Sequence, residues 1–173
     1  MLNRIFHEAG PAQTRILIFA TLGMIAIIGS ALAFEHVGGY APCALCLEQR
    51  GPYYLGIPFM VIGSLAALLQ GPSSVIRGAL MIGFACLVAT ALMGIYHAGV
   101  EWQFWAGPDA CSAGITGEAG NAGDLLSSLS TAKPPSCTEA AGRLLGISFA
   151  GWNVLAASAL SMIAARGAFG PSQ

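Results

Sequence analysis

Residues 16–34 read ILIFATLGMIAIIGSALAF, a run of 19 without a charge. About 20 apolar residues at about 1.5 Å rise each cross the roughly 30 Å of hydrocarbon in a bilayer, so this run is long enough for a spanning helix. Three more uncharged apolar stretches follow, at residues 51–76, 78–100 and 144–165. Helices satisfy their own backbone hydrogen bonds, which lipid requires. The second stretch exceeds one span, and Gly71-Pro72 after Gln70 predicts where it stops, leaving a turn over residues 71–77. The expected fold is an all-α membrane protein: a four-transmembrane-helix bundle with spans at about 16–34, 51–70, 78–100 and 144–165. These form one membrane domain over residues 1–173, with outer loops at about 35–50 and 101–143.

Composition points the same way. Of the 173 residues, 55% are hydrophobic and 9% charged, with a mean hydropathy of +0.70. A soluble domain carries about a quarter charged residues, and a disordered chain is poorer in apolar ones. A net charge of −1 without a basic cluster excludes a nucleic-acid partner, whose phosphates require a Lys/Arg surface. The first stretch has one other reading. Arg4 and Arg15 precede it, and Ala31-Leu32-Ala33 has the small-x-small form of a signal-peptide cleavage site, though 19 apolar residues exceed a typical signal core.

Loop charges set the orientation. One face holds Arg4, Arg15, Arg77 and Arg166; the other holds Arg50, Lys133 and Arg143 together with Glu35, Glu48, Glu101, Asp109, Glu118, Asp124 and Glu139. The positive-inside rule then makes both termini cytoplasmic. Trp102, Trp105, Tyr40, Tyr53 and Tyr54 fall near outer helix ends, where aromatic rings suit the headgroup region. Leu125, Leu126 and Leu129 recur at helical spacing, as in a short helix on the membrane surface.

Four of the five cysteines, Cys43, Cys46, Cys111 and Cys137, fall in the two outer loops, in the compartment where disulfides persist. Cys43-Ala44-Leu45-Cys46 opens the second helix, where the helix N-terminus favours thiolate. So short a loop gives little chain-entropy benefit, which suits a reactive pair more than a structural staple. Zinc is the competing use of C-x-x-C, but a ribbon needs a second knuckle, and Cys111 and Cys137 are too far apart to form one; no metal is expected. That wider pair, if oxidised, closes a loop worth about 3.5 kcal/mol. It reads either as a staple or as a second, exchangeable disulfide. Arg50 lies one turn after Cys46 on the same face. A permanent cation there either snorkels to the headgroups or stabilises a thiolate or the oxygen of a reduced acceptor. Glu48 is expected to be solvated or paired with Arg50. His97 falls at the depth of the C-x-x-C, and Cys86, about 16 Å deeper, is a packing residue.

This ordered set resembles the DsbB disulfide-bond formation proteins of bacterial inner membranes. The resemblance rests on Phe34-Glu35-His36-Val37 ending the first span, Pro42-Cys43-Ala44-Leu45-Cys46 opening the second, and Arg50 four residues on. It continues with the long loop carrying Cys111 and Cys137, then Leu144-Leu145-Gly146 and Trp152 entering the last span. It implies a protein-disulfide:quinone oxidoreductase. A reduced periplasmic DsbA-like thioredoxin-fold protein attacks the Cys111/Cys137 disulfide, with Cys111 taking the mixed disulfide. Electrons pass to Cys43/Cys46 through transient pairing of Cys43 with Cys137. Cys46 then meets a bound quinone, ubiquinone or menaquinone, with Arg50 polarising it and His97 nearby, and the quinol joins the membrane pool. A DsbA-type couple near about −120 mV is itself strongly oxidising, which is why thiols alone re-oxidise it poorly. Two other readings stand beside this one. A vitamin K epoxide reductase-like protein uses a similar C-x-x-C, but late in its bundle. A small tetraspan adaptor would carry inert loop disulfides.

Overall fold

The computed structural model describes residues 10–108, 111 and 136–170. Helices α1 (Pro11–His36), α2 (Ala44–Leu68), α3 (Ser73–Glu101) and α4 (Phe149–Phe169) account for most of them. A hairpin of β1 (Arg143–Leu144) and β2 (Ile147–Ser148) precedes α4. Neighbouring helices pack in the order α1, α2, α3, α4 and close into a ring, with α1 and α3 barely touching across it. Three helices, α1, α2 and α3, are long and apolar enough to cross a membrane. The fourth, 21 residues long, packs against α3 and α1.

Helix ends differ from the apolar runs for local reasons. α2 starts at Ala44, so Cys46, Glu48 and Arg50 lie in its first turns and not in a loop. α3 starts at Ser73, which shrinks the expected 71–77 turn and places Arg77 within the helix. The tighter turn uses a left-handed Gln70 (φ 55), and the ring of Pro72 holds the extended backbone before α3. The run 144–165 is not helical from its start. Leu145 (φ 54) and Gly146 (φ 82) are both left-handed, the geometry of a two-residue hairpin turn, and pair Leu144 with Ile147. Helix α4 begins only after Ser148, whose hydroxyl oxygen accepts the Gly151 N–H at 3.2 Å. The small-x-small motif 31–33, the alternative reading of the first stretch, lies within α1, and the expected Leu125, Leu126 and Leu129 helix lies outside the described residues.

The molecule is apolar outside as well as inside. Phe19, Leu22, Leu65, Leu92 and Met162 are all more than half exposed, a surface suited to acyl chains and not to water. Between helices, close approach relies on small residues, as in membrane bundles generally. A Cβ on Gly63 would collide with the Ala79 Cβ, and one on Gly83 with Met60. Interhelical hydrogen bonds add to this: Gln13 donates to the Gly167 carbonyl at 3.1 Å, and Thr21 meets Ser64 at 3.1 Å. Tyr53 departs from its expected belt position, being buried between helices at 2% exposure.

Two buried clusters result. The larger, around Leu17, Met24, Met60, Leu80, Leu87 and Ala157, fills the ring; the smaller, at the end of the ring where α2 starts and α3 ends, is built of Cys43, Leu45, Val100 and Cys137, with Cys46 and Cys111 against it. Replacing Gly63 with Val should force α2 from α3 and cost about 1–3 kcal/mol by overpacking. Gly29→Ala, which meets open space, should not destabilise. Thermal unfolding of the detergent-solubilised protein checks both.

Candidate functional site

The site is built around the first turn of α2. Cys43 is its N-cap, with extended backbone (φ −77, ψ 169), and its sulfur accepts the N–H of Cys46 at 3.3 Å. Sulfur thus takes the place usually held by a Ser or Asp oxygen, at the positive end of the helix dipole. Cys46 Sγ is 3.0 Å away, and His97 Nε2 approaches Cys43 Sγ to 3.5 Å. The hydrogen-bonded Cys46 thiol, aided by His97, draws the Cys43 thiol down to about 4, with burial opposing. Cys43 and Cys46 are free thiols, while Cys111 and Cys137 are joined as a disulfide. Both pairs share the smaller cluster, with Cys137 fully buried and Cys111 and Cys46 partly so.

Arg50 is buried, and its Nη1 lies 2.5 Å from Glu35 Oε2 at the end of α1. The pairing neutralises a cation that would otherwise be costly at membrane depth. Of the two expectations for Glu48, solvent and Arg50, the structure has solvent: Glu48 is exposed.

Behind the thiols runs a polar chain across three helices. Tyr53 Oη donates to Asn153 Oδ1 at 2.8 Å, and Asn153 Nδ2 donates to Gln49 Oε1 at 3.1 Å. Gln49 Nε2 lies 2.7 Å from His97 Nδ1, and Thr90 donates to the Gln49 carbonyl at 2.9 Å. His97 is 2% exposed. Its Nε2 is 3.7 Å from Glu101 Oε1, one helical turn on. The Glu101 carboxylate is itself buried, and its Oε2 has no partner among the described residues.

Sequence reasoning named Cys43, Cys46, Cys111, Cys137, Arg50 and His97, and the structure brings all six to one end of the helix ring. It did not find Gln49, Asn153, Thr90 or the pairing role of Glu35, and it treated Glu101 only as a loop acid. A signal for Asn153 existed: it is an amide inside an apolar run, where lipid makes an unpartnered polar group expensive. Cys86 packs against Gly56 in the helix interior, as expected.

On the other side of α2 lies a mostly apolar cavity of about 380 Å³ between α1, α2 and α4. Ile27, Ile28, Phe34 and Phe149 supply apolar walls, and Cys46, Gln49 and Arg50 the polar edge. Phe34 stacks on Phe149 with centroids 4.7 Å apart, and Tyr40 meets both rings edge-on. Trp152, also in the wall, donates from Nε1 to the Leu144 carbonyl at 3.0 Å, which ties the hairpin to α4. His97 does not line this cavity; its contacts are Cys43, Gln49 and Glu101. Chemically, the arrangement places an apolar pocket with one guanidinium edge beside a sulfur, and the sulfur beside a second cysteine pair.

Residues 13–166 match the family model described as Disulfide bond formation protein DsbB. Disulfide bond formation protein B 2 of Pseudomonas savastanoi pv. phaseolicola is 33% identical over 88% of this chain and 86% of its own. An uncharacterized protein of Rickettsia prowazekii is 28% identical over 80% of this chain and 77% of its own. Disulfide bond formation protein B 1 of Pseudomonas aeruginosa is 44% identical over a shorter stretch, 37% of this chain and 36% of that one. No solved structure matches. With the family match running from α1 nearly to the end of α4, and the paired cysteines gathered at the start of α2, the chain belongs to the DsbB family of disulfide bond formation proteins.

Proposed function

We propose that this protein is a thiol-disulfide oxidoreductase of the bacterial inner membrane. It re-oxidises a periplasmic DsbA-like protein and passes the electrons to a membrane quinone. In this reading α1 to α4 are four spans of one membrane domain, both termini are cytoplasmic, and the cysteine loops are periplasmic. The observation that carries it is the shared outer cluster: the Cys111–Cys137 disulfide packs with Cys43, while Cys46 and Arg50 line the apolar cavity.

The electron balance requires two exchanges. A thiolate of the reduced partner attacks Cys111 Sγ, and Cys137 leaves as thiolate. The partner's second thiol resolves the mixed disulfide, so the partner departs oxidised and Cys111 is left reduced. Cys137 then attacks Cys43 of an oxidised Cys43–Cys46 pair and frees Cys46. Cys43 held near 4 is a good leaving group in the return step, in which Cys111 attacks Cys137 and restores the loop disulfide. The reduced Cys43–Cys46 pair is left holding the two electrons.

A quinone ring is flat and apolar with carbonyl oxygens at its edge, and the cavity walls and guanidinium match those needs. Ubiquinone and menaquinone both meet this description. When bound, the quinone supplies a two-electron acceptor at the membrane edge. Arg50 contributes a fixed cation for an oxygen gaining charge, Glu35 holds that cation in place, and Phe34 and Phe149 exclude water. His97 acts from the opposite side, through Cys43.

Quinone reduction followed by absorbance, with purified protein and a reduced DsbA-like donor, tests the reading. Cys46→Ser should abolish turnover. Arg50→Lys should raise the quinone KM about tenfold or more, because a charge-assisted hydrogen bond is worth about 1.5–3 kcal/mol and an ammonium lacks the planar fork. Unchanged kinetics in Arg50→Lys would remove its assigned role. Separately, Cys111→Ser should stop oxidation of the soluble donor, and a normal rate in that variant would refute the loop pair as entry point.

A further inference from the structure

Glu101 poses a problem that the disulfide chemistry does not solve. Its carboxylate is 4% exposed, beside an imidazole, and one oxygen has no partner among the described residues. Burying such a group without hydrogen bonds is costly. The same imidazole belongs to a trio of metal-ligating groups: Cys43 Sγ, Cys46 Sγ and a His97 ring nitrogen sit within 4.8 Å of one another.

We propose that the reduced site binds one thiophilic divalent cation, with Cys43, Cys46, His97 Nε2 and Glu101 as its four ligands. Zinc is the reference case, being tetrahedral with Cys, His and carboxylate donors. Its usual bond lengths put a sulfur and an imidazole nitrogen about 3.5 Å apart across a tetrahedral edge, and Cys43 Sγ and His97 Nε2 are already 3.5 Å apart. The two sulfurs, at 3.0 Å, must part to about 3.8 Å. The Glu101 carboxylate, 3.7 Å from Nε2 but outside the 4.8 Å group formed by the other three donors, must swing in toward the sulfurs to complete the tetrahedron. Cys111 and Cys137 are joined to each other and form no second knuckle, but α3 carries His97 and Glu101 as the two further donors.

Ligation through Nε2 puts the ring proton on Nδ1, so Gln49 presents its oxygen there. Asn153 follows by the same half-turn of its amide, offering its own oxygen to Gln49; its Nδ2 gives up the long contacts to Thr90 and donates to the Tyr53 hydroxyl, which turns from donor to acceptor. Binding moves no electrons: two thiol protons go to solvent as two sulfur–metal bonds form. A closed Cys43–Cys46 disulfide has no thiolate to offer. The cation therefore selects the reduced pair and holds its electrons in place, a brake on transfer when metal is abundant.

The test is an anaerobic titration of the full chain in detergent with Co2+, using Cys111→Ser/Cys137→Ser to leave the site thiols, followed by displacement with Zn2+. One equivalent should give tetrahedral visible bands and thiolate-to-cobalt charge transfer, absent from the oxidised protein. Glu101→Gln should weaken binding about tenfold or more. The unmodified reduced chain provides a check free of cysteine substitution, in which Glu101→Gln should likewise weaken one tight equivalent. No charge-transfer band in either reduced protein, or equal affinity with Glu101→Gln, overturns the proposal. Neither quinone nor partner is present, so failure here leaves the proposed oxidoreductase standing, and the converse also holds.

Discussion

A helix satisfies its backbone everywhere except at its ends, and the start of α2 is where that deficit has been turned to use. The first N–H groups of α2 need acceptors, and Cys43 supplies one from its sulfur. The same contact that ends the helix cleanly also favours negative charge on that sulfur, so the reactive thiol and the structural cap are one atom. The surrounding elements are arranged about it. Glu35, from the end of α1, secures Arg50 one turn after Cys46. His97 from α3 approaches the cap from behind. Helix α4 contributes Asn153, which holds the Gln49 amide against the imidazole.

The helices themselves were largely legible, because uncharged runs of spanning length have few alternatives in lipid. Their ends were not. A run of apolar residues says nothing about whether Leu144 to Ile147 will turn, and only the left-handed backbone at Leu145 and Gly146 decides it. Charge behaved similarly. Arg50 stands out in the sequence as a cation needing a reason, and the acid nearest to it there is Glu48, two residues away, for which both solvent and Arg50 are open readings. Residues two apart on a helix point to different faces, and the true partner, Glu35, belongs to another helix.

The polar chain escaped notice for a different reason. Tyr53, Asn153, Gln49 and His97 come from three helices, and no spacing rule within one segment connects them. Tyr53 alone reads as a belt aromatic and His97 as a histidine near a helix end, and only the amide of Asn153, set in an apolar run, stands out by itself. Only their packing makes them a connected set, in which each amide's orientation is fixed by the next.

The two sulfurs of the C-x-x-C do not face the same surroundings. Cys46 lines the apolar cavity between α1, α2 and α4, whereas Cys43 is buried toward α3 and the loop disulfide. The α2 helix start thus acts as a partition with one sulfur on each side. In the proposed reaction a water-soluble donor and a lipid-soluble acceptor never occupy the same space, and neither needs to leave before the other arrives. The division of the pair across one helical turn thus works as insulation as much as wiring: the sulfur that faces the loop disulfide is buried, and the one that faces the apolar cavity is only partly so.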